Sequence, residues 1–119
     1  MPNRCLDPQS FIGRPAGTGQ CVDLVKIACE LGATSTWREG ERVRGNTTIR
    51  SGTAIATFSN GTYANQPTGN HAAIYLRQDN EGIVVVDQWS GQVAQERRIR
   101  FKRGIGSPSN DGDAFSIIR

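Results

Sequence analysis

Apolar residues recur with the period of a helix in the stretch that follows residue 19. The residues at three- and four-residue intervals, with one more on the next turn, are Cys21, Leu24, Val25, Ala28 and Leu31. That spacing puts them on one face of a helix, where they can pack against a core. Thr18 is the predicted N-cap of this helix, and Gly32 stands where a glycine commonly ends one.

Shorter apolar runs predict strands farther along the chain. They cover residues 52–58, 71–77, 83–89, 95–102 and 114–118. Polar residues and a glycine at 78–82 predict a turn, so the second and third runs make an antiparallel hairpin. Residues 36–43 fit either a helical turn or a loop. One helix followed by an antiparallel meander predicts an α+β fold, with the helix packed on one face of a sheet of about five strands.

The length and composition fit a single domain spanning residues 1–119. With 36% hydrophobic and 21% charged residues, the chain can bury a core of its own. No apolar stretch approaches the roughly 18 residues of a membrane span, so none is expected. The first eight residues lack the apolar centre of a signal peptide. We therefore expect a protein made in the cytoplasm, with any export by a route that reads no such signal.

The net charge of +3 indicates a mildly basic surface. It fits contact with an anionic bacterial envelope, and it fits an ordinary soluble surface equally well. The densest basic stretch, residues 97–103, partly alternates cationic and apolar residues, as a half-buried strand does. No nucleic-acid partner is expected on this basis, and a monomer is expected.

Three cysteines leave two arrangements open. Cys5 and Cys29 can form a disulfide in an oxidising compartment and leave Cys21 free, or all three are thiols. A thiol attacks as a thiolate, and a helix N-terminus lowers its pKa because unpaired N–H groups favour negative charge. Cys21 stands in the first predicted turn, whereas Cys29 stands in the last. Cys21 is therefore the candidate nucleophile, with a buried structural cysteine as the common alternative.

His71 is the only histidine in the chain, so an imidazole base has to be this residue. It begins a predicted strand directly after Gly69 and Asn70, although a lone histidine is more often structural. Asp87 follows four apolar residues on the return strand, and a buried carboxylate needs a partner. The midpoint between His71 and Asp87 falls at Asp79, inside the predicted turn, so the two are expected to lie near each other. Gln88 points to the other face and replaces Asp87 if the turn is displaced by one residue.

Three blocks around these residues resemble the CHAP amidases, which are cysteine, histidine-dependent amidohydrolase/peptidase domains among the papain-like peptidoglycan hydrolases. The blocks are GQCVDLV at residues 19–25, GNHAAIY at 69–75 and VDQWSG at 86–91. In that family the first block begins a helix, the second begins a strand, and an acid or amide near a Trp follows on the next strand. Here Asn70 separates the Gly from the His. Either Asp87 or Gln88 can be the third catalytic residue, beside Cys21 and His71.

The chain is short and has no wall-binding repeat, so it is similar to the stand-alone amidases that bacteria inject into the periplasm of rivals by type VI secretion. Release of a phage lysin through a membrane pore is the alternative route. The resemblance implies a peptidoglycan peptide as substrate, action in the periplasm or cell wall, and a cognate immunity protein as partner. It implies no cofactor.

The resemblance also implies acyl transfer through a thioester. His71 takes the proton of Cys21, the thiolate attacks a carbonyl of a stem or cross-bridge peptide, and water releases the acyl group. The backbone N–H of Cys21 holds the oxyanion, with Gln20 as the candidate for the second donor. The polar tract at residues 59–70, which ends at Asn70, and Trp89 are candidates for substrate contact, and core packing is equally open for Trp89.

Other functions stay open at this point. The same Cys–His fold can act on protein side-chain amides, as transglutaminases and deamidases do, or persist as an inactive module that binds the wall. A zinc site built from the three cysteines and His71 lacks a Cys-x-x-Cys pair. A serine hydrolase lacks its Gly-x-Ser-x-Gly elbow.

Overall fold

One α-helix and six strands are present in the computed structural model, which describes residues 5, 7–64, 66 and 69–119. These elements are α1 (Cys21–Cys29), β1 (Glu39–Arg42), β2 (Thr53–Thr57), β3 (Ala72–Gln78), β4 (Gly82–Trp89), β5 (Gln92–Arg100) and β6 (Phe115–Ile118). The strands form one antiparallel sheet in the order β1-β6-β2-β3-β4-β5. The predicted α+β class is confirmed, and the sheet has six strands where about five were expected.

The additional strand, β1, lies within residues 36–43, which the sequence left undecided. Its four residues read Glu-Gly-Glu-Arg and three of them are exposed, so no apolar alternation marks the strand. It pairs with β6 at the edge of the sheet. Residues 1–4 and 6, and residues 65, 67 and 68 of the polar tract at 59–70, lie outside the described residues.

The helix begins at Cys21, with Gln20 as its N-cap. The prediction of Thr18 as N-cap is therefore wrong. The backbone N–H of Thr18 donates to Asp23 Oδ2 at 2.8 Å, and its hydroxyl donates to the same oxygen. The Asp23 carboxylate lies in the first turn, where the helix dipole favours a negative charge. This pair fixes the loop that leads into the helix.

The helix also ends before the predicted Gly32. Glu30 adopts a left-handed conformation with a φ of 54°, and its N–H donates to the carbonyl of Lys26. The residue that closes the helix is therefore not a glycine. One face of α1, which includes Leu24 and Val25, is buried in the core. Among the described residues, no helix has the length and apolar character needed to cross a membrane.

Apolar side chains cover both faces of the sheet. On one face, Ile74 and Leu76 of β3 join a cluster with the buried side of α1. On the other face, Ala73 and Tyr75 join a second cluster with Phe115 of β6. Because β3 and β4 are buried on both faces, they read in the sequence as continuous apolar runs and not as an alternation.

A disulfide joins Cys5 to Cys29, the last residue of α1. The sequence left this pairing open. The cross-link spans a sequence separation of 24 residues, and in the chain-entropy view such a loop contributes about 3 kcal/mol by restricting the unfolded chain. Cys21, at the opposite end of the helix, is a free thiol. The disulfide thus fastens one end of the helix whose other end presents the candidate nucleophile.

Candidate active site

Cys21 is the first residue of α1, at the helix end where the backbone N–H groups have no partner within the helix. The thiol is half-buried and interacts with the imidazole of His71. Its sulfur also accepts a hydrogen bond from the backbone N–H of Ala72 and lies 3.8 Å from the hydroxyl of Tyr63. Every one of these contacts is able to stabilise a negative charge on the sulfur.

His71 directly precedes β3 and is buried, with 5% of its surface exposed. Its backbone is fixed by Thr57 of β2, which donates its N–H to the His71 carbonyl and accepts the His71 N–H on its hydroxyl, each at 2.9 Å. The imidazole Nε2 lies 2.7 Å from Oδ2 of Asp87. Because Nε2 is engaged by the carboxylate, Nδ1 is the nitrogen that serves Cys21.

Asp87 is fully buried between two cationic partners. His71 approaches from β3, and the guanidinium of Arg97 approaches from β5 through Nε at 2.9 Å and Nη2 at 2.7 Å, both to Oδ2. A buried carboxylate with this many charge-assisted donors is compensated for the loss of water. Asp87 and Arg97 therefore form a rigid support on the far side of the imidazole.

The register of the β3–β4 hairpin differs from the predicted one. Ile74 lies opposite Val86, and an irregularity interrupts the ladder nearer the turn. Continuing this register puts Ala73 opposite Asp87, and His71 lies two residues farther along on the same face. The imidazole reaches the carboxylate diagonally across the two strands, a separation that long side chains can span. The structure thus brings His71 and Asp87 together, as expected, through a diagonal contact between the two strands.

The electrostatics favour an ion pair between Cys21 and His71. Burial raises the pKa of the Cys21 thiol, but the hydrogen bond and charge of His71 outweigh it, so the pKa of Cys21 is lowered overall. Burial lowers the pKa of His71, yet hydrogen bonds with Asp87 and Cys21 dominate and raise the pKa of His71 to about 9. Both shifts therefore favour a proton on the imidazole and a negative charge on the sulfur.

The negative charge of Asp87 is stabilised by the side chains of His71 and Arg97. Burial raises the pKa of Asp87, but the hydrogen bonds and charges of His71 and Arg97 hold the pKa of that carboxyl below its usual value. Asp87 is therefore an anion at any pH where the ion pair exists. A carboxylate in this position keeps the imidazole in one orientation and stabilises its protonated form.

Gln88 is buried and lies on the opposite face of β4 from Asp87, as strand alternation requires. Its side-chain amide donates to the carbonyls of Ala16 and Gln20 at 2.9 and 2.8 Å, and its oxygen accepts the Ala16 N–H at 2.9 Å. Gln88 therefore does not contact the imidazole. It fastens the chain that enters α1, immediately before Cys21.

A cleft of about 740 Å³ opens beside the thiol and the imidazole. Gln20, Asn70 and Trp89, all expected from the sequence to take part in the site, line this cleft. The Trp89 side chain is 39% exposed, which favours substrate contact over core packing. Its ring lies 6.4 Å from that of His71, and the guanidinium of Arg97 stacks over it at 5.0 Å.

Arg97 and Tyr63 line the site, and the sequence assigned neither of them a role of its own. Arg97 lies on the same face of β5 as the buried Ile99, so the alternation along this strand predicts that Arg97 points inward. Because an inward-pointing cation needs an anionic partner, this pattern could have identified Arg97 as part of a buried ion pair. Tyr63 lies in the polar tract at residues 59–70, where no periodicity indicates its direction. Its ring packs on that of the buried Trp37, 5.1 Å away.

The zinc alternative considered from the sequence needed all three cysteines with His71. Because Cys5 and Cys29 are joined in a disulfide, neither sulfur is available as a thiolate ligand. Within the part of the chain that the structure describes, no group of three or more His, Cys, Asp or Glu side chains is arranged to hold a metal ion.

Comparisons with known proteins converge on one group. The family model described as domesticated amidase effector 2 matches residues 2–118. A type VI secretion amidase effector 2 protein of Salmonella typhi is 47% identical over 96 residues, which cover 78% of this chain and 72% of the relative. A domesticated amidase effector 2 of Ixodes scapularis is 37% identical over 121 residues, covering 96% of this chain and 82% of the relative.

A solved structure is also similar to this chain throughout. It is titled type 6 secretion amidase effector 2, and it superposes with a TM-score of 0.85 at 35% identity. The superposition covers 98% of this chain and 93% of the other. The similarity therefore extends over the helix, the sheet and the candidate active site together.

Proposed function

Because this chain belongs to the domesticated amidase effector 2 family, we propose that it is a cysteine amidase that hydrolyses amide bonds in the peptides of bacterial peptidoglycan. The names of its relatives support amidase activity, and two of them name an effector of type VI secretion. Two further points belong to the proposal itself: the substrate is peptidoglycan, and Cys21 is the nucleophile.

One observation supports the proposal more than any other. The imidazole of His71 is held between the free thiol of Cys21 and the buried carboxylate of Asp87, at the wall of an open cleft. A nucleophile, a base and a group that orients the base are the three parts of covalent amide hydrolysis. An inactive binding module has no need to bury three charged groups at such a cost.

The reaction proceeds by acyl transfer. The Cys21 thiolate attacks the carbonyl carbon, a C–S bond forms, and the carbonyl electron pair moves to oxygen. As the intermediate collapses, the C–N bond breaks and the imidazolium of His71 gives its proton to the leaving amine. Neutral His71 then takes a proton from water, whose oxygen attacks the thioester, and the carboxylic acid leaves as the thiolate is restored.

The remaining residues of the cleft position the substrate. The backbone N–H of Cys21 points to the oxyanion from the helix start, where negative charge is favoured. Gln20 is the proposed neighbour of the oxyanion, and Asn70 and Trp89 line the path of the peptide. Asp87 serves as the third catalytic residue, and Gln88 acts through the backbone that it fastens.

The type VI secretion relatives also support a proposed setting. We expect delivery by the type VI apparatus, action in the periplasm on the wall peptide, and inhibition by a cognate immunity protein that occupies the cleft. The disulfide between Cys5 and Cys29 fits action in an oxidising compartment.

Digestion of purified peptidoglycan, followed by mass spectrometry of the muropeptides, tests the proposal. We expect products that have gained one water per cleaved amide and expose a new amine, and no such products with Cys21→Ala. Unchanged muropeptides combined with ammonia release from protein glutamine would assign the fold to side-chain amides instead. Binding to the wall without any cleavage would identify an inactive module.

The activity should depend on pH in a way that reports the ion pair. The rate constant kcat/KM should rise as the Cys21 thiol ionises, at a pH below its ordinary range, because its pKa is lowered. It should fall as pH rises through about 9, where His71 loses the proton needed by the leaving amine. Initial rates measured across this range check the profile. A rate that keeps climbing beyond the His71 pKa would contradict an ion-pair mechanism.

A further inference from the structure

The hydroxyl of Tyr63 lies beside the Cys21 sulfur, at 3.8 Å, without a role in the reaction so far. Tyr63 is buried, with 6% of its surface exposed, and its ring packs against Trp37. A buried phenol needs a hydrogen-bond partner, and the direction of its bond decides what it can do for the sulfur.

The hydrogen bonds around Asn70 settle that direction. The Asn70 Oδ1 accepts the backbone N–H of Gln66 at 2.6 Å, and a backbone N–H can only donate. The Asn70 amide nitrogen therefore faces the other way, and it donates to the Tyr63 hydroxyl oxygen at 3.1 Å. Since that oxygen accepts from Asn70, the phenol proton is free to donate elsewhere. Among the described residues, the acceptor within reach is the sulfur of Cys21.

The phenol also retains its proton. Burial raises the pKa of Tyr63, and the neighbouring charge and hydrogen bond of Cys21 raise it further, so the pKa of Tyr63 lies above its ordinary value. The hydroxyl therefore keeps the proton that it needs as a donor.

We propose that Tyr63 is a further catalytic residue, whose hydroxyl donates to the Cys21 thiolate at rest and to the oxyanion of the tetrahedral intermediates. The inference rests on the proposed function, because it assigns the second oxyanion donor of the same reaction. Gln20, which the sequence suggested for this role, has an exposed side chain, whereas the Tyr63 hydroxyl is fixed by Asn70 and Trp37.

The geometry suits the transfer of this hydrogen bond. When the thiolate attacks, its electron pair forms the C–S bond and the carbonyl π pair moves to oxygen. That oxygen is two bonds from the sulfur, so a hydroxyl 3.8 Å from the sulfur can come within about 2.7–3.1 Å of the oxyanion. No proton is transferred from Tyr63, and the hydrogen bond returns to the sulfur when the thioester is hydrolysed.

Tyr63→Phe against Tyr75→Phe is the matched test. Tyr75 is also buried, and its hydroxyl also accepts from a side-chain amide, Gln78, at 3.2 Å, but it lies in the cluster on the other face of the sheet. We expect Tyr63→Phe to lower kcat by about 100-fold with little change in KM, since one oxyanion donor is lost. Tyr75→Phe should leave kcat close to the wild-type value.

A second readout needs no substrate and therefore separates this inference from the proposed function. The rate of alkylation of Cys21 by iodoacetamide, followed against pH, reports ionisation of the thiol. Tyr63→Phe should move this profile to higher pH, because the thiolate loses a donor, and Tyr75→Phe should not. If Tyr63→Phe changes neither kcat nor the profile, Tyr63 is a packing residue and the inference is overturned. If Cys21→Ala hydrolyses peptidoglycan as well as wild type, the proposed function fails, whatever the profile shows.

Asn70→Asp supplies an independent test of the hydrogen-bond direction. A carboxylate at this position can still accept from Gln66 but can only accept from Tyr63, so it draws the phenol proton away from the sulfur. We expect a loss of kcat from Asn70→Asp that is much smaller when Tyr63 is already Phe. Equal losses in the two backgrounds would contradict the proposed direction.

Discussion

Cys21→Ser is expected to abolish amide hydrolysis, with a fall in kcat/KM of roughly 10⁴- to 10⁶-fold. The serine hydroxyl is of similar size, but it does not ionise at the pH at which His71 holds its proton. The lowered pKa of Cys21, which is caused largely by His71, is a property of the thiol and is lost with it. The rate of release of new amines from purified peptidoglycan measures the effect.

The stability of the Cys21→Ser variant is its necessary control. The side chain is half-buried at the start of α1, and the change removes no disulfide, because Cys5 pairs with Cys29. We expect a loss of about 1 kcal/mol or less in the free energy of unfolding, and a thermal midpoint within a few degrees of wild type. Substantial hydrolysis by a well-folded Cys21→Ser protein would exclude Cys21 as the nucleophile.

Asp87→Asn is expected to give the second largest effect, with a fall in kcat/KM of about 10⁴-fold. The amide no longer stabilises the protonated imidazole, so His71 loses the main cause of its raised pKa. It also leaves the half-buried guanidinium of Arg97 without its anionic partner. We expect the free energy of unfolding to fall by about 3 kcal/mol as a result.

A double variant separates the two consequences. Asp87→Asn combined with Arg97→Gln removes both charges, so part of the lost stability should return, while activity should stay low because His71 still lacks its carboxylate. Gln88→Ala is the neighbouring control: it removes bonds to the backbone of Ala16 and Gln20, so it should cost stability with a smaller loss of rate than Asp87→Asn. Recovery of activity in the double variant would show that Asp87 matters only as a partner of Arg97.

The chemistry of the site was largely predictable from the sequence because few residues could supply it. One histidine, one cysteine at a helix start and one acid at the end of an apolar run leave little choice of nucleophile and base. The structure brings Cys21, His71 and Asp87 together, and the resemblance to type VI secretion amidase effectors is confirmed by the comparisons. The roles of the individual residues stay predictions.

The remainder of the site depends on contacts that leave no period in the sequence. Tyr63 approaches the sulfur from a polar tract, and only its bond with Asn70 shows which way the hydroxyl points. Arg97 was counted as part of a basic stretch, and its inward direction follows from pairing with β4. The exposed strand β1 has no apolar residue to mark it. Strand pairing places Arg97 and β1, and a loop contact places Tyr63; single-sequence patterns contain neither.

The ion pair between Cys21 and His71 is the premise on which the proposed chemistry depends. The rate of alkylation of Cys21 by iodoacetamide, compared between wild type and His71→Ala over about pH 4 to 10, measures it directly. We predict that the wild-type thiol reacts as a thiolate well below the pKa of about 8.5 of a free cysteine, and that His71→Ala moves its ionisation to higher pH. Identical alkylation profiles in the two proteins would show that His71 does not ionise the thiol, and would contradict the account.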